Sequence, residues 1–349
     1  GAALASTLAT IKRESMAVGG ARRSGLKKST DLLEEMVPIE KKLLIGTGIS
    51  SIDTLLDGGI APKQMAMLCA YTGLGKSAMA INICQNGAKQ GHRSVLVSLE
   101  MSASQLMCRY TSAMIYYPYT TMWKGDPTGE MSNVEMRSDV LEKVRAARER
   151  DLIINAGYEN FSIAEMTGAI GSITEGAPAT PEDIRQICQD AKDEGDPIKL
   201  MVIDYLDLLD LPDTKQFASA KKETRDKLGE LSVQMNLITV EFDLVMWVLT
   251  QANDEGEKSP SPGLRASRDS RKKNDPVSVW CSLGATEGQR KEGVFNFRCA
   301  KNRDGRTFTV KIRGEMEFQK FMDYDQASTE KAPRGRSNAP VHELPDDEE

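Results

Sequence analysis

Short runs of consecutive apolar residues alternate along this chain with longer stretches whose apolar positions recur at helical spacing. Gln64–Cys69, Ser94–Leu99, Lys199–Tyr205 and Leu244–Gln251 are four such runs. Each is of strand length, and an apolar run without alternation marks a strand covered on both faces. Leu152-Ile153-Ile154 reads as a further short strand. Val277–Leu283, Val294–Ala300 and Thr307–Ile312 alternate instead, which predicts antiparallel strands at a sheet edge.

Helical spacing fills the intervals. Ala78–Ile83 opens a helix that Gly91 closes. Ser102 with Gln105 makes a capping box for a helix through Arg109, and Ser162 with Glu165 makes another. Residues 118–133, with Pro118, Gly125-Asp126-Pro127 and Gly129, read as loop. Val134–Glu149 and Lys221–Phe242 are amphipathic, and Thr180-Pro181-Glu182-Asp183 starts a helix reaching about Lys192. Strand, helix and strand within about 35 residues form a right-handed parallel βαβ unit. The expectation is an α/β fold: a mainly parallel, twisted sheet flanked by helices, with antiparallel edge strands near the C-terminus. Its ligand crevice lies at the carboxyl ends of the strands.

The polar groups sit at those ends. Between the Met65–Cys69 strand and its helix comes Ala70-Tyr71-Thr72-Gly73-Leu74-Gly75-Lys76-Ser77. A strand, a tight glycine loop, Lys-Ser and a helix describe a phosphate-binding loop. Its N–H groups and the positive helix end cradle anions. Lys76 is placed to reach the β- and γ-phosphates and Ser77 to ligate Mg²⁺. The usual first glycine is Ala70, a departure that need not crowd phosphate. Asp204 ends the Lys-Leu-Met-Val-Ile run, as a Walker B acid does, and would hold Mg²⁺ directly or through water. Glu100 ends the neighbouring run and is the candidate base for the attacking water. Gln251 ends the next and is the candidate link between γ-phosphate state and the loop beyond; from pattern alone an ordinary polar strand end fits it nearly as well.

Composition narrows the class without changing it. Hydrophobic residues make up 40% and charged residues 28% of 349, an ordinary globular balance. No run approaches the ~18 apolar residues of a membrane span, and no signal peptide is evident. The six cysteines are scattered with no CxxC pair, which reads as buried thiols in a reducing compartment, so the cytoplasm is the expected location. With only His92 and His342, a histidine-rich metal site or a His-based triad is excluded. A net charge of −6 excludes a generally basic coat and leaves room for local basic loops. Residues 1–42 form a mixed linker or docking-helix segment in which Leu4, Leu8 and Ile11 share a helical face. Residues 43–325 hold the nucleotide-binding α/β domain, and residues 326–349 read as a disordered acidic tail.

Ser98-Leu99-Glu100-Met101-Ser102 with Gln105 and Arg109 resembles a signature of DnaB-type, RecA-like replicative helicases. Thr47-Gly48, Val202-Ile203-Asp204-Tyr205-Leu206, Thr250-Gln251-Ala252-Asn253 and Ala300-Lys301-Asn302-Arg303-Asp304-Gly305 follow in the family's order. The resemblance spans roughly residues 44–325, and residues 117–200 depart from the pattern in a way that suggests an insertion and looks more phage-like than bacterial. It implies an ATP- and Mg²⁺-dependent homo-hexameric ring that translocates on single-stranded DNA, with primase or other replisome proteins as partners and no membrane. It also implies that Arg109 belongs to the nucleotide site, and that Lys301 and Arg303 reach a neighbour's ATP, Arg303 as the finger on the γ-phosphate. Pattern alone makes those two merely basic residues in a turn.

The resemblance places two loops at the ring's centre. Asp210–Lys222 carries Lys215, Lys221 and Lys222; Asp254–Asn274 carries Lys258, Arg265, Arg268, Arg271, Lys272 and Lys273. Phe217 is their only aromatic, which favours backbone tracking by charge over base stacking; solvated charged loops are the plainer reading. Two other functions share the same motifs: a RecA/RadA-type recombinase filament and a regulatory ATPase of the same fold without unwinding activity.

Overall fold

The computed structural model describes residues 40–166, 178–213, 217, 223–253, 259–266 and 272–324, all in the unit that begins at Glu40. The expected helical face at Leu4–Ile11, the tail 326–349 and the loop residues Lys215, Lys221, Lys222, Lys258, Arg268 and Arg271 lie outside the described residues.

Among the described residues nine strands form one sheet. They are β1 (Met65–Ala70), β2 (Ser94–Ser98), β3 (Phe161–Glu165), β4 (Leu200–Asp204), β5 (Val245–Gln251), β6 (Val279–Gly284), β7 (Val294–Asn302), β8 (Phe308–Glu315) and β9 (Lys320–Asp323). Their order is β3-β2-β4-β5-β1-β6-β7-β8-β9. The first six run parallel and the last three join antiparallel. The mainly parallel sheet and its antiparallel margin match the sequence expectation. One detail differs: the Val277–Leu283 run becomes β6, which pairs parallel with β1 and antiparallel only with β7.

The strands alternate between two cores, as period-two geometry requires. Ala66, Leu68 and Ala70 of β1 face the cluster with Val202, Trp247 and Phe297, while Met65, Met67 and Cys69 face the cluster with Ile203, Val248 and Trp280. Helix α2 (Lys76–Lys89) covers the first face and α8 (Thr224–Glu241) the second. Burial on both faces explains the unbroken apolar runs.

Three elements differ from expectation: the Leu152 run, the Ser162–Glu165 stretch and residues 118–133. Leu152-Ile153-Ile154 is not a strand: it opens helix α6 (Leu152–Glu159) because the Asp151 carboxylate accepts from the N–H groups of Ile153 (2.8 Å) and Ile154 (3.4 Å). An N-cap of this kind outweighs a three-residue apolar run; Leu152 and Ile153 are consequently left exposed. Asp151→Ala is expected to lower stability by about 1 kcal/mol, read as a reduced denaturation midpoint with unchanged slope. Conversely, Ser162–Glu165 starts no helix. It lies in β3, where Phe161 stacks on Tyr110 with ring centroids 3.9 Å apart. Glu165 does cap a helix, but a distant one: its Oε2 accepts from Ala103 N (2.7 Å) at the start of α3 (Ala103–Ile115). The expected Ser102–Gln105 box is half made, since Ser102 Oγ accepts from Gln105 N (3.3 Å) while the Gln105 amide donates to Tyr119 Oη (3.1 Å).

Residues 118–133 contain a short helix, α4 (Tyr119–Lys124), before the long α5 (Asn133–Arg150), which has a full Ser132–Glu135 capping box. The α1 (Ser50–Leu55), α7 (Pro181–Asp193) and α9 (Glu287–Lys291) helices complete the described set.

Candidate nucleotide site

Residues 70–77 join β1 to α2 at the carboxyl end of the parallel strands. Gly73 and Gly75 both have positive φ, 78° and 86°. A Cβ on Gly75 would stand 2.9 Å from Phe321 Cζ on β9. The loop is therefore held from behind by the last strand, and its curvature has no room for a side chain. Gly75→Ala would add left-handed strain of about 1–2 kcal/mol to that contact. Roughly tenfold weaker nucleotide binding is expected, measurable by titration with a fluorescent nucleotide.

Upstream, the Thr47-Gly48 turn is built from its own side chains. Asp53 Oδ1 accepts from Thr47 N (2.6 Å) and Thr47 Oγ1 (2.8 Å), and Asp53 Oδ2 accepts from Gly48 N (3.0 Å). Asn82 and Asn86 of α2 donate to the carbonyls of Thr47 and Gly46, both at 3.0 Å. Thr47-Gly48 thus shapes the shoulder behind the phosphate loop.

Lys76, Ser77 and Asp204 converge. Ser77 Oγ donates to Asp204 Oδ2 at 2.7 Å, and Lys76 Nζ donates to the Ala70 carbonyl at 3.2 Å. Ala70 itself is fully buried as the last residue of β1, so the departure from glycine falls on ordinary strand backbone. Asp204 is 3% exposed. Burial pushes its carboxyl up, against the Ser77 hydroxyl and the Lys76 charge. Burial pushes Lys76 down, and the charges of Asp204 and Glu100 oppose it. Two carboxylates and one ammonium therefore share one electrostatic neighbourhood.

Glu100 sits on a turn fixed by Ser98. The Ser98 hydroxyl donates to the Met101 carbonyl (2.6 Å) and accepts from Met101 N (3.1 Å). Leu99 N donates to the Asp204 carbonyl (3.1 Å), which binds the turn to the end of β4. The Glu100 carboxylate is left exposed at the mouth of the site.

Gln251 reaches the phosphate loop directly, its Nε2 donating to Thr72 Oγ1 at 2.7 Å. Arg109 stands beside the loop. Its Nη1 donates to Gln319 Oε1 (2.7 Å), and its guanidinium lies 4.7 Å from the Tyr119 ring centroid. Gln319 and Phe321, at the start of β9, escaped the sequence reading; no motif announces them.

Lys301 and Arg303 lie elsewhere. Ala70 is level with Leu283 on β6, and Leu283 with Phe297 on β7. Arg303 is six residues beyond Phe297, roughly 20 Å at the strand rise, towards the amino ends of the parallel strands. There Arg303 Nη2 donates to the Asp275 carbonyl (2.7 Å), and Lys301 Nζ to those of Asn274 (2.7 Å) and Asp275 (3.1 Å). Neither belongs to this chain's own phosphate site.

Of the loop cations that are described, Arg265 is exposed. Lys272 is exposed with its ammonium 2.7 Å from Asp226 Oδ1. Lys273 is a correction: it is 0% exposed, its ammonium hydrogen-bonded to Thr250 Oγ1 (2.7 Å), so it cannot meet nucleic acid. In sequence it is one cation in a run, and nothing there separates it from Lys272.

Among the described residues no group of three His, Cys, Asp or Glu could hold a metal alone. Mg²⁺ in nucleotide sites needs only one or two protein oxygens plus phosphate and water. The buried Asp204 carboxylate and the Ser77 hydroxyl are a hard-oxygen pair suited to it.

A mainly parallel sheet with a phosphate loop after β1, an acid just after β2, another ending β4 and a glutamine ending β5 is the layout of a RecA-like P-loop nucleoside triphosphatase fold. Residues 45–323 match the family described as DnaB-like helicase C terminal domain, and this chain belongs to that family. It is 24% identical to the replicative DNA helicase DnaB of Haemophilus influenzae over 290 residues, 79% of this chain and 55% of that protein. The chain thus spans little more than half the length of that curated relative. Two solved structures share the fold. One, an isolated ATPase domain, has a TM-score of 0.66 at 18% identity, covering 84% of this chain and 96% of that one. The other, a DnaB-like replicative helicase studied for its interactions with primase, has a TM-score of 0.65 at 17% identity, covering 90% and 71%.

Proposed function

We propose that this chain is the motor of an ATP-driven ring helicase that translocates on single-stranded DNA and separates duplex DNA during replication. The observation that carries the reading is the Ser77–Asp204 hydrogen bond beside Lys76, with Glu100 on the adjoining turn. In this reading the loop N–H groups and Lys76 hold the phosphates of ATP. Ser77 and Asp204 hold Mg²⁺, which when bound neutralises charge on the transferred phosphoryl oxygens. Glu100 orients and deprotonates the attacking water, and Gln251 reports the γ-phosphate to the loop that follows it. Arg109 steadies the site from its flank. Lys301 and Arg303 complete the site of the next copy, so the working unit is a homo-hexamer.

Arg265 and Lys272, with Lys215, Lys221, Lys222, Arg268 and Arg271, form the basic track for the DNA backbone. Lys273 is left out of that set. Residues 1–42 act as the linker to a neighbour, residues 43–325 as the motor and residues 326–349 as a tail, with primase or other replisome proteins as partners in the cytoplasm. Family membership over residues 45–323 supports unwinding over a recombinase filament or a purely regulatory ATPase.

The test is ATPase with and without single-stranded DNA, alongside unwinding of a forked duplex. Stimulation by DNA together with strand separation is expected. Turnover indifferent to DNA would sink the reading.

A further inference from the structure

The carboxyl end of β5 holds a second polar cluster that phosphate chemistry does not use. Lys273 is wholly buried, and its ammonium donates to Thr250 Oγ1 at 2.7 Å. The Thr250 hydroxyl donates in turn to Asp207 Oδ2 at 2.9 Å. Lys273 Nζ also stands 3.6 Å from Asp207 Oδ1. A lysine is almost never fully buried unless it is paired, and separating such a pair leaves a desolvated charge uncompensated. The cluster therefore behaves as one rigid piece.

Its three members come from three different working segments. Asp207 lies three residues past Asp204, in the turn that leads to the first basic loop. Thr250 immediately precedes Gln251, whose amide grips Thr72 of the phosphate loop. Lys273 closes the second basic loop, and its carbonyl accepts from Ser232 Oγ of α8 at 2.6 Å. The next two carbonyls, of Asn274 and Asp275, are those that receive Lys301 and Arg303. Residues 272–275 are thus tied at one end to this chain's sensor strand and at the other to the basic pair.

We propose that the Lys273–Thr250–Asp207 cluster is a buried ionic latch that carries the nucleotide state of one site to the Lys301–Arg303 pair serving the next. The proposal rests on the motor reading above. A change at Thr72 on filling or emptying of the phosphate loop pulls on Gln251, and Thr250 moves with it because they are consecutive in one strand. Lys273 follows, since Asp207 is the carboxylate its buried charge is paired with. The carbonyls of Asn274 and Asp275 then shift under Arg303 and Lys301. Lys273 is a positioning residue in this scheme: it touches neither nucleotide nor DNA.

The test compares the wild-type chain with Lys273→Met and with Lys273→Met/Asp207→Asn, the second removing both charges so that folding is spared. Amide hydrogen exchange is followed with and without Mg²⁺ and a non-hydrolysable ATP analogue, and steady-state ATPase is measured in parallel. In the wild type the analogue is expected to slow exchange both in residues 70–77 and in residues 272–280. In the double variant, protection of 70–77 persists, protection of 272–280 disappears, KM for ATP stays within about twofold, and kcat falls at least tenfold. Two results would overturn the latch: wild-type exchange at 272–280 that ignores nucleotide, or a double variant with normal kcat and normal protection. A melting temperature and kcat that fall in Lys273→Met and both recover in the double variant would reduce the cluster to a structural pair, and would equally overturn it. Failure of DNA to stimulate the wild type would undo the motor reading instead, and the exchange comparison would still decide the latch.

Discussion

In the proposed ring, Arg303→Ala is expected to lower ATP turnover by roughly 10³–10⁵-fold, the range over which an arginine finger acts, with assembly and nucleotide binding retained. The size of the effect follows from where Arg303 sits. It is some six strand residues from the level of the phosphate loop, and its guanidinium donates to the Asp275 carbonyl at 2.7 Å. A lost carbonyl contact at an exposed turn costs little stability, so a large loss of turnover with folding and nucleotide binding intact would point to action at another copy's phosphates. Mixing gives the decisive measurement. Lys76→Ala subunits lack the phosphate cation, Arg303→Ala subunits lack the finger, and each should be nearly inactive alone. Co-assembled rings contain some interfaces in which an intact loop meets an intact Arg303, so the mixture should recover activity. If the mixture stays as inactive as its components, the finger assignment fails.

Glu100→Gln is expected to cut turnover by about 10²–10⁴-fold, the usual worth of a positioned general base, with nucleotide affinity nearly unchanged. The Ser98 hydroxyl clamps the turn from both sides of Met101 and does not depend on the Glu100 carboxylate. The amide therefore occupies the same place without accepting a proton. Asp204 should become easier to ionise in this variant, because the Glu100 charge is among the influences holding its carboxyl up. Mg²⁺ binding is thus expected to be equal or slightly tighter. A variant that loses nucleotide binding along with turnover would mean that Glu100 shapes the loop, and the base assignment would have to be abandoned.

Most of the sheet and the heart of the site can be read from residue order. Gln64–Cys69, Ser94–Leu99, Lys199–Tyr205 and Leu244–Gln251 are buried on both faces, so their apolar runs are unbroken and their first polar residues mark the strand ends. Glu100, Asp204 and Gln251 are those residues, which is why motif and geometry coincide there. The failures have two origins, one a local cap that outweighs an apolar run and the others contacts between residues far apart in the chain. Leu152-Ile153-Ile154 is apolar yet helical because one carboxylate, Asp151, decides its conformation. Phe161–Glu165 is polar enough to resemble a helix start yet pairs with β2 because Tyr110 offers a stacking face. Lys273 reads as surface charge because its partners Thr250 and Asp207 lie 23 residues away along the chain and further. Strand β9 has only four residues and gives no pattern at all, although Gln319 and Phe321 flank Arg109 and Gly75.

The support that β9 gives the phosphate loop has a consequence for synthesis of the chain. Phe321 N donates to Asn82 Oδ1 at 3.1 Å across a separation of 239 residues, and the Phe321 ring backs Gly75. At about 5–20 residues per second, a ribosome needs roughly 10–50 s to travel between the two. Throughout that interval the nascent chain carries its phosphate loop and helix α2 without the strand that braces them. The braced form of the loop is thus reached only once the polypeptide is complete through Phe321, and a chain broken off earlier is expected to bind ATP more weakly.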